Sequence, residues 1–163
     1  WFLARALRLL KEALPNVSAV ISYSDPLPRR AIGGDIVKPG HVGTIYQASN
    51  CAYLGRARAR TITLAPSGTV LNERTLSKIR NDERGREYAY EQLLEMGAPK
   101  RTPSESGAAY VARILTMPEL RRVRHRGNHV YGFVLGKDTT AKEIHHRLRS
   151  KPYPKTADPE SGA

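Results

Sequence analysis

A short apolar segment that ends in a polar turn places the strongest constraint on the fold. Residues 17–23 are mostly apolar and β-branched without regular alternation, which is typical of a strand covered on both faces in a central sheet. Ser24-Asp25-Pro26 follows, and the proline ends the strand. Because ligands of sheet-based α/β proteins bind beyond the C-terminal ends of strands, this position predicts a functional site at Tyr23 and Asp25.

The periodicity of the other segments predicts a mixed α/β chain of the α+β type. Helices are predicted at 1–14, within 72–118 and from 139 or 140 to 148, and strands at 17–23, 51–53, 60–64 and 129–135. Ser104, and Thr139 or Thr140, are the predicted N-caps of the last two helices. At 163 residues the chain can bury one sizeable core. We therefore predict one domain over residues 1–150, with a helical insertion at 72–118, and a basic, proline-containing tail at 151–163 that is partly disordered.

The charge balance favours a polyanionic partner. Lys and Arg number 27 against 15 Asp and Glu, which gives a net charge of +12. DNA, RNA or an anionic surface fits such an excess, and ordinary solvated charge is the alternative. The single cysteine, Cys51, excludes an internal disulfide and indicates a reducing compartment. The sequence shows no recognisable metal site, membrane span or secretory signal, so a cytoplasmic protein without membrane contact is expected.

A glycine-opened helix, predicted over residues 44–50, supplies a second group of candidate site residues. Gly40 and Gly43 let the backbone approach a ligand closely, and with Thr44 at the helix N-terminus they suit an anionic or thioester-bearing cofactor. The Tyr46 hydroxyl could donate a proton to a departing thiolate as a general acid. For a tyrosine in such a position, packing is the alternative role.

Asp25 and His41 are the candidate proton acceptors. Asp25 could take a proton from an attacking amine, or simply stabilise the turn that follows it. An imidazole can accept a proton, so His41 is the other candidate base. Tyr23 and Asn50 could hydrogen-bond a substrate, with a structural role as the alternative.

Arginines that lie near aromatic residues in the sequence predict a groove for a nucleic-acid backbone. Arginine binds phosphate through paired hydrogen bonds and stacks on bases. The predicted DNA contacts are Arg29, Arg30, Arg56, Arg58, Arg60, Arg121, Arg122, Arg124 and Arg126. Sequence spacing does not establish that these side chains share a face.

The central block resembles the signature of the Mom-like DNA-modification proteins of phages and prophages, a divergent branch of the GCN-related N-acetyltransferase (GNAT) fold. The resembling segments are residues 22–26, 40–50 and 53–55, with weaker pieces at 127–133 and 151–155. The resemblance spans roughly residues 3–155 and implies a GNAT-like mixed central sheet flanked by helices. The first strands of that fold, with its pyrophosphate loop, are expected to be truncated from this chain or supplied elsewhere.

The resemblance also implies a cofactor, a substrate and a product. The cofactor is acetyl-CoA or a related acyl-CoA, and in the product the exocyclic amine of adenine in DNA carries a carbamoylmethyl group that protects phage DNA from restriction. Tyr46 matches the tyrosine that protonates the leaving thiolate in the GNAT fold. Plain acyl transfer does not give a carbamoylmethyl group, so additional redox or metal-dependent chemistry is expected. The adenine would be flipped out of the duplex, with Tyr23 or Tyr53 as the stacking candidate.

Two other functions stay open. One is a catalytically silent DNA-binding module of the same fold, and the other is an N-acetyltransferase acting on protein or a small amine. The sequence does not determine the acyl donor, the DNA sequence context or the oligomeric state, a homo-oligomer included.

Overall fold

The structure is a computed structural model, and it describes residues 2–159 of the chain. The helices of this part are α1 (Phe2–Ala13), α2 (Thr44–Gln47), α3 (Glu73–Arg80), α4 (Arg86–Glu95), α5 (Gly107–Leu115) and α6 (Thr139–Arg147). The strands are β1 (Ala19–Ser24), β2 (Arg29–Arg30), β3 (Ile36–Lys38), β4 (Ala52–Arg56), β5 (Arg60–Leu64), β6 (Arg121–His125) and β7 (His129–Val134). The predicted α+β class is confirmed.

The chain divides into two compact units. Of the described residues, the first unit contains 2–27, 40–60 and 126–159, and the second contains 28–39 and 61–125. The predicted helical insertion at 72–118 lies in the second unit. Residues 151–159, predicted as part of a separate tail, belong to the first unit. The predicted start of the first helix at residue 1 and the predicted end of the tail at 160–163 lie outside the described residues.

An antiparallel sheet in the order β1-β7-β4 forms the centre of the first unit. β7 pairs with β1 on one side and with β4 on the other, where a bulge follows Tyr53. The prediction that β1 is covered on both faces is wrong, because β1 is an edge strand of this sheet. Ile21 and Tyr23 are 48% and 57% exposed. An apolar residue at the outward position, Ile21, concealed the alternation that a half-buried strand normally shows.

One face of this sheet builds the core of the first unit. Its buried residues are Cys51, Tyr53, Tyr131, Phe133 and Leu135. The leucines of the apolar stripe of α1 pack against this core, together with Val17, Val20 and Tyr46. The helix predicted for the N-terminal segment is therefore present, and its leucines face the core.

The second unit is built around α3, α4 and α5. Leu76, Ile79, Leu93 and Ile114 are among its most buried side chains. Ser104 was wrong as the cap of α5, because the Ser106 hydroxyl accepts the Ala109 N–H at 3.1 Å. The adjacent Gly107 explains this start: a Cβ there would collide with the carbonyl oxygen of Ile79, so helix packing sets where α5 begins.

Two short strand pairs complete the second unit. β2 pairs with β3, and β5 pairs with β6. Arg121, Arg122 and Arg124, which were predicted as DNA contacts, lie in strand β6, where no strand was predicted. In the first unit, α6 is capped by Asp138, whose carboxylate accepts the Ala141 N–H at 2.8 Å, so the predicted caps Thr139 and Thr140 were wrong.

Candidate active site

Aromatic rings from two strands and a helix pack together on the buried face of the first unit's sheet. Tyr53 on β4 and Tyr131 on β7 are paired across the strands, with ring centroids 5.3 Å apart. The Tyr46 ring, from α2, lies 5.2 Å from the Tyr131 ring and 6.1 Å from the Phe133 ring. Such offset and edge-to-face contacts stabilise the packing of α2 on the sheet.

Tyr131 also connects this cluster to the backbone before α2. Its hydroxyl donates to the carbonyl oxygen of Val42 and accepts a hydrogen bond from the Gln47 amide at 3.2 Å. The same amide donates to Val42 at 2.9 Å and to the Pro154 carbonyl at 3.2 Å. Gln47 therefore joins the α2 loop, β7 and the C-terminal segment.

A buried tyrosine–histidine pair continues the cluster along the sheet. The Tyr53 hydroxyl lies 2.8 Å from His129 Nδ1. Burial raises the pKa of Tyr53 and lowers the pKa of His129, an effect that nearby Arg56 reinforces for the histidine. Both groups are therefore neutral near pH 7, and the pair shares one hydrogen-bonding proton. His129 Nε2 is buried and finds no hydrogen-bond partner among residues 2–159.

An ion pair anchors the C-terminal segment beside this histidine. The Arg56 guanidinium donates to both carboxylate oxygens of Asp158, at 2.8 and 2.5 Å. These hydrogen bonds raise the pKa of Arg56 and lower that of Asp158. The Asp158 N–H also donates to the Pro26 carbonyl at 3.0 Å. Arg56, predicted as a DNA contact, is thus engaged within the protein.

A cavity of about 480 Å³ opens in the first unit beside β7. This volume lies within the usual range for small-molecule sites. Its walls include apolar side chains and groups that can form hydrogen bonds. Among the lining residues are Leu7, Phe133 and Leu148, together with Asn50, His145 and Tyr153. Of the predicted site residues, Asn50 is the one that lines this cavity.

Tyr46 lies next to the cavity wall, since its ring contacts Phe133. Its side chain is half-buried, and its hydroxyl makes no hydrogen bond with any residue in the described range. The hydroxyl of Tyr153, by contrast, donates to the Cys51 carbonyl at 2.6 Å. Sequence reasoning did not select His145 or Tyr153 as site residues. The Lys-Pro-Tyr-Pro-Lys segment was the available signal for the latter.

The two glycines predicted to admit a cofactor approach the protein's own atoms closely. A Cβ at Gly43, where φ is +77°, would lie 2.5 Å from the Tyr131 ring, and one at Gly40 would collide with the Pro26 carbonyl. Thr44 is exposed at the start of α2, a helix of only four residues. The packing of this chain therefore accounts for both glycines, and their contact with a cofactor stays a prediction.

Asp25 and His41 are joined through the backbone, where the His41 N–H donates to the Asp25 carbonyl at 2.8 Å. The Asp25 carboxylate accepts the Leu27 N–H at 3.0 Å, the Asx-turn arrangement considered as its alternative role. The His41 side chain is exposed. Tyr23 is exposed on the edge strand and Tyr53 is buried, so these two stacking candidates differ in their access to solvent.

The remaining predicted DNA contacts fall into two groups, one in each unit. In the first unit Arg58, Arg60 and Arg126 are exposed. A hydrogen bond of 2.8 Å between the Ala57 N–H and the Asn128 carbonyl holds their two loops together. These three arginines are therefore accessible to a polyanion.

In the second unit, Arg122 and Arg124 point to solvent, while the intervening Val123 is buried. Arg121 donates to the Arg30 carbonyl, and the Arg30 guanidinium donates to the Gly34 carbonyl at 2.8 Å. Arg29 is partly buried. Strand alternation thus separates the exposed arginines of β6 from those with structural contacts.

Cys51 is a packing residue in this site. Its thiol is buried and donates to the Tyr46 carbonyl at 2.8 Å, and burial raises its pKa to about 11. Such a thiol is a poor nucleophile at neutral pH. Within residues 2–159 no three His, Cys, Asp or Glu side chains cluster as a metal site would require, and no helix there is long and apolar enough to cross a bilayer.

The sequence matches the model of the Mom protein family over residues 1–155. Neither the curated proteins nor the solved structures contain a significant match to the chain. The family match covers nearly the whole sequence and confirms the resemblance found in the central block, whereas the relationship to the GNAT fold stays a prediction. The chain therefore belongs to the Mom protein family, the family of phage DNA-modification proteins.

Proposed function

We propose that the first unit is the catalytic part of a transferase that modifies the exocyclic amine of adenine in DNA. The family match supports DNA as the substrate, and the net charge of +12 suits a polyanion. The cavity beside β7 provides a concave site for the reacting groups. Asn50 lines it, and a carboxamide can pair with the N6 amine and N7 of adenine.

The observation that carries this proposal is the unengaged hydroxyl of Tyr46. The hydroxyls of Tyr53, Tyr131 and Tyr153 are all committed to hydrogen bonds within the first unit. The Tyr46 hydroxyl makes no such bond with residues 2–159, although its ring is fixed against Tyr131 and Phe133. A positioned side chain with a free O–H suits a general acid.

We propose an acyl-CoA as the donor, which supplies an acyl group activated as a thioester. The chemistry of the cavity fits the reactive end of such a molecule. Leu7, Phe133 and Leu148 offer apolar surface to an acyl chain and a pantetheine arm, while Asn50 and His145 can hydrogen-bond their polar groups. These residues would thus hold the donor.

The proton transfers assigned to the chain balance. Tyr46 would give its hydroxyl proton to the sulfur as the thioester C–S bond breaks, and Asp25 or His41 would accept a proton from the adenine amine as its nitrogen bonds to the acyl carbon. Solvent returns the accepted proton to Tyr46. A simple transfer leaves an amide on the adenine nitrogen, whereas a carbamoylmethyl product needs a further step, so the product's mass distinguishes the two reactions.

Mass spectrometry of nucleosides from plasmid DNA tests the proposal. DNA from cells that express the protein is expected to contain a heavier deoxyadenosine, and Tyr46→Phe is expected to lower its yield by about 100-fold or more. Tyr88→Phe is the matched control, because Tyr88 is an exposed tyrosine of the second unit. Unmodified DNA from a wild-type protein that still binds DNA would instead favour the binding-module function.

A further inference from the structure

We propose that the segment His145–Lys151, at the end of α6 and just beyond it, binds the DNA backbone phosphates on either side of the nucleotide that enters the cavity. This inference rests on the proposed function and names the surface that holds its substrate. The segment was not among the residues selected from the sequence.

The first support is a local excess of positive charge. No Asp or Glu occurs between Glu143 and Asp158, whereas the segment carries Arg147, Arg149 and Lys151 as well as two histidines. All of these cationic or titratable side chains are exposed. None forms an ion pair with another described residue. Unneutralised arginines on a surface are suited to paired hydrogen bonds with phosphate.

Helix stabilisation accounts for only part of this charge. Cations in the last turn of a helix interact favourably with its dipole, and His145, His146 and Arg147 occupy that turn of α6. Arg149 and Lys151 lie beyond the C-cap, Leu148, where the backbone is extended. Their charges have no helix terminus to complement.

The second support is the position of the segment relative to the cavity. His145, Leu148 and Ser150 line it, and the exposed Arg147 and Arg149 are next to Leu148 and Ser150 in the chain. A base extruded from a duplex enters its pocket with one phosphate on each side. Cations that flank the wall-lining residues are placed to hold those phosphates.

The charge continues along the first unit through Lys151. Its N–H donates to the Tyr53 carbonyl at 2.8 Å, and its ammonium lies over Gly55 of β4, 2.9 Å from where a Cβ would be. The chain after β4 presents the exposed Arg58 and Arg60. The regularly spaced phosphates of a DNA backbone could contact several of these cations at once.

The test compares two double variants, each of which loses two positive charges near one end of α6. The double variant Arg147→Gln/Arg149→Gln is compared with Lys137→Gln/Lys142→Gln, which removes equal charge from exposed residues at or before the first turns of the same helix. Affinity for a fluorescent adenine-containing duplex is measured by anisotropy over a range of salt concentrations. The arginine variant is expected to bind roughly tenfold more weakly at low salt, and its salt slope is expected to fall by roughly two, whereas the lysine variant keeps the wild-type slope.

A wild-type salt slope in the arginine variant overturns the inference, and so does an equal loss in the lysine variant. Titration with coenzyme A forms a second arm. If the arginine variant loses affinity for coenzyme A and keeps it for DNA, the segment serves the donor's phosphates and the inference is wrong. Circular dichroism verifies that both variants are folded. Because binding needs no turnover, these results are independent of whether the wild-type protein modifies adenine.

Discussion

Replacing Asp158 by Asn tests how the C-terminal segment is held against the first unit. The Asp158 carboxylate accepts hydrogen bonds of 2.5 and 2.8 Å from Arg56. Its side chain is 5% exposed, whereas that of Arg56 is 30% exposed. Asp158→Asn preserves the shape of the side chain and removes its charge, so it isolates the electrostatic part of this contact.

The expected loss follows from the burial of the two partners. Breaking a fully buried ion pair costs about 3–5 kcal/mol. Here the Arg56 guanidinium can regain water, and the amide oxygen can still accept one hydrogen bond, so we expect a decrease of about 2 kcal/mol in the free energy of unfolding. For a chain of this length that corresponds to a decrease in Tm of about 4–8 °C.

The stability difference between wild type and Asp158→Asn should decrease as the pH falls. The hydrogen bonds from Arg56 lower the pKa of Asp158 below that of the unfolded chain, which is about 3.9. The contribution to stability is therefore complete above the unfolded pKa and is lost as the pH falls through the folded pKa. Wild type and Asp158→Asn should differ at pH 7 and converge in acid.

Urea unfolding followed by circular dichroism measures this difference, and hydrogen exchange of the Lys151 and Asp158 amides locates it. Asp138→Asn is the matched control, because Asp138 forms an exposed ion pair with Lys11 at 3.3 Å and asparagine also caps helices. The control should lose less than about 1 kcal/mol. An Asp158→Asn protein within the error of wild type at pH 7, or a difference that persists unchanged in acid, would refute the reasoning.

Two further substitution and labelling experiments test the packing of the site. Gly43→Ala should lower the free energy of unfolding in urea by about 2–4 kcal/mol, because φ is positive there and the added methyl group would meet the Tyr131 ring. Gly97→Ala is the control, since φ is +91° but the surrounding space is open, and it should lose only about 1–2 kcal/mol. Equal losses would contradict the role given to Gly43. Iodoacetamide should label Cys51 negligibly in the native protein at pH 8 and fully after unfolding. Mass spectrometry measures the extent of labelling, and rapid labelling of the native protein would contradict the raised pKa of Cys51.

Local periodicity was enough to predict the elements whose buried faces repeat regularly. The helix at 1–14 and the strand at 129–135 were predicted in this way, and their buried faces carry the leucines of α1 and the rings of Tyr131 and Phe133. The edge position of β1 was not, because the exposed Ile21 makes its outer face resemble a covered one. The cap of α5 depends on the contact of Gly107 with α3, which no local pattern encodes.

Site residues were predictable from the sequence where their contacts are close in the chain, and were missed or misassigned where their partners are distant. Asn50 was selected from the sequence and lines the cavity. The pairing of Arg56 with Asp158 joins residues 102 positions apart, so the sequence indicated a free arginine for DNA where the structure has a partly buried ion pair. His145 lines the cavity because α6 packs beside β7, and Tyr153 lines it because the C-terminal segment folds back to the carbonyl of Cys51.

The most direct test of the central claim is to quantify released thiol and modified adenine in the same reaction of purified protein, acyl-CoA and an adenine-containing duplex. Acyl transfer with Tyr46 as the acid predicts one thiol for each modified adenine, and about a 100-fold slower release of both with Tyr46→Phe. Modification without thiol release, or a Tyr46→Phe protein as fast as wild type, would contradict the account.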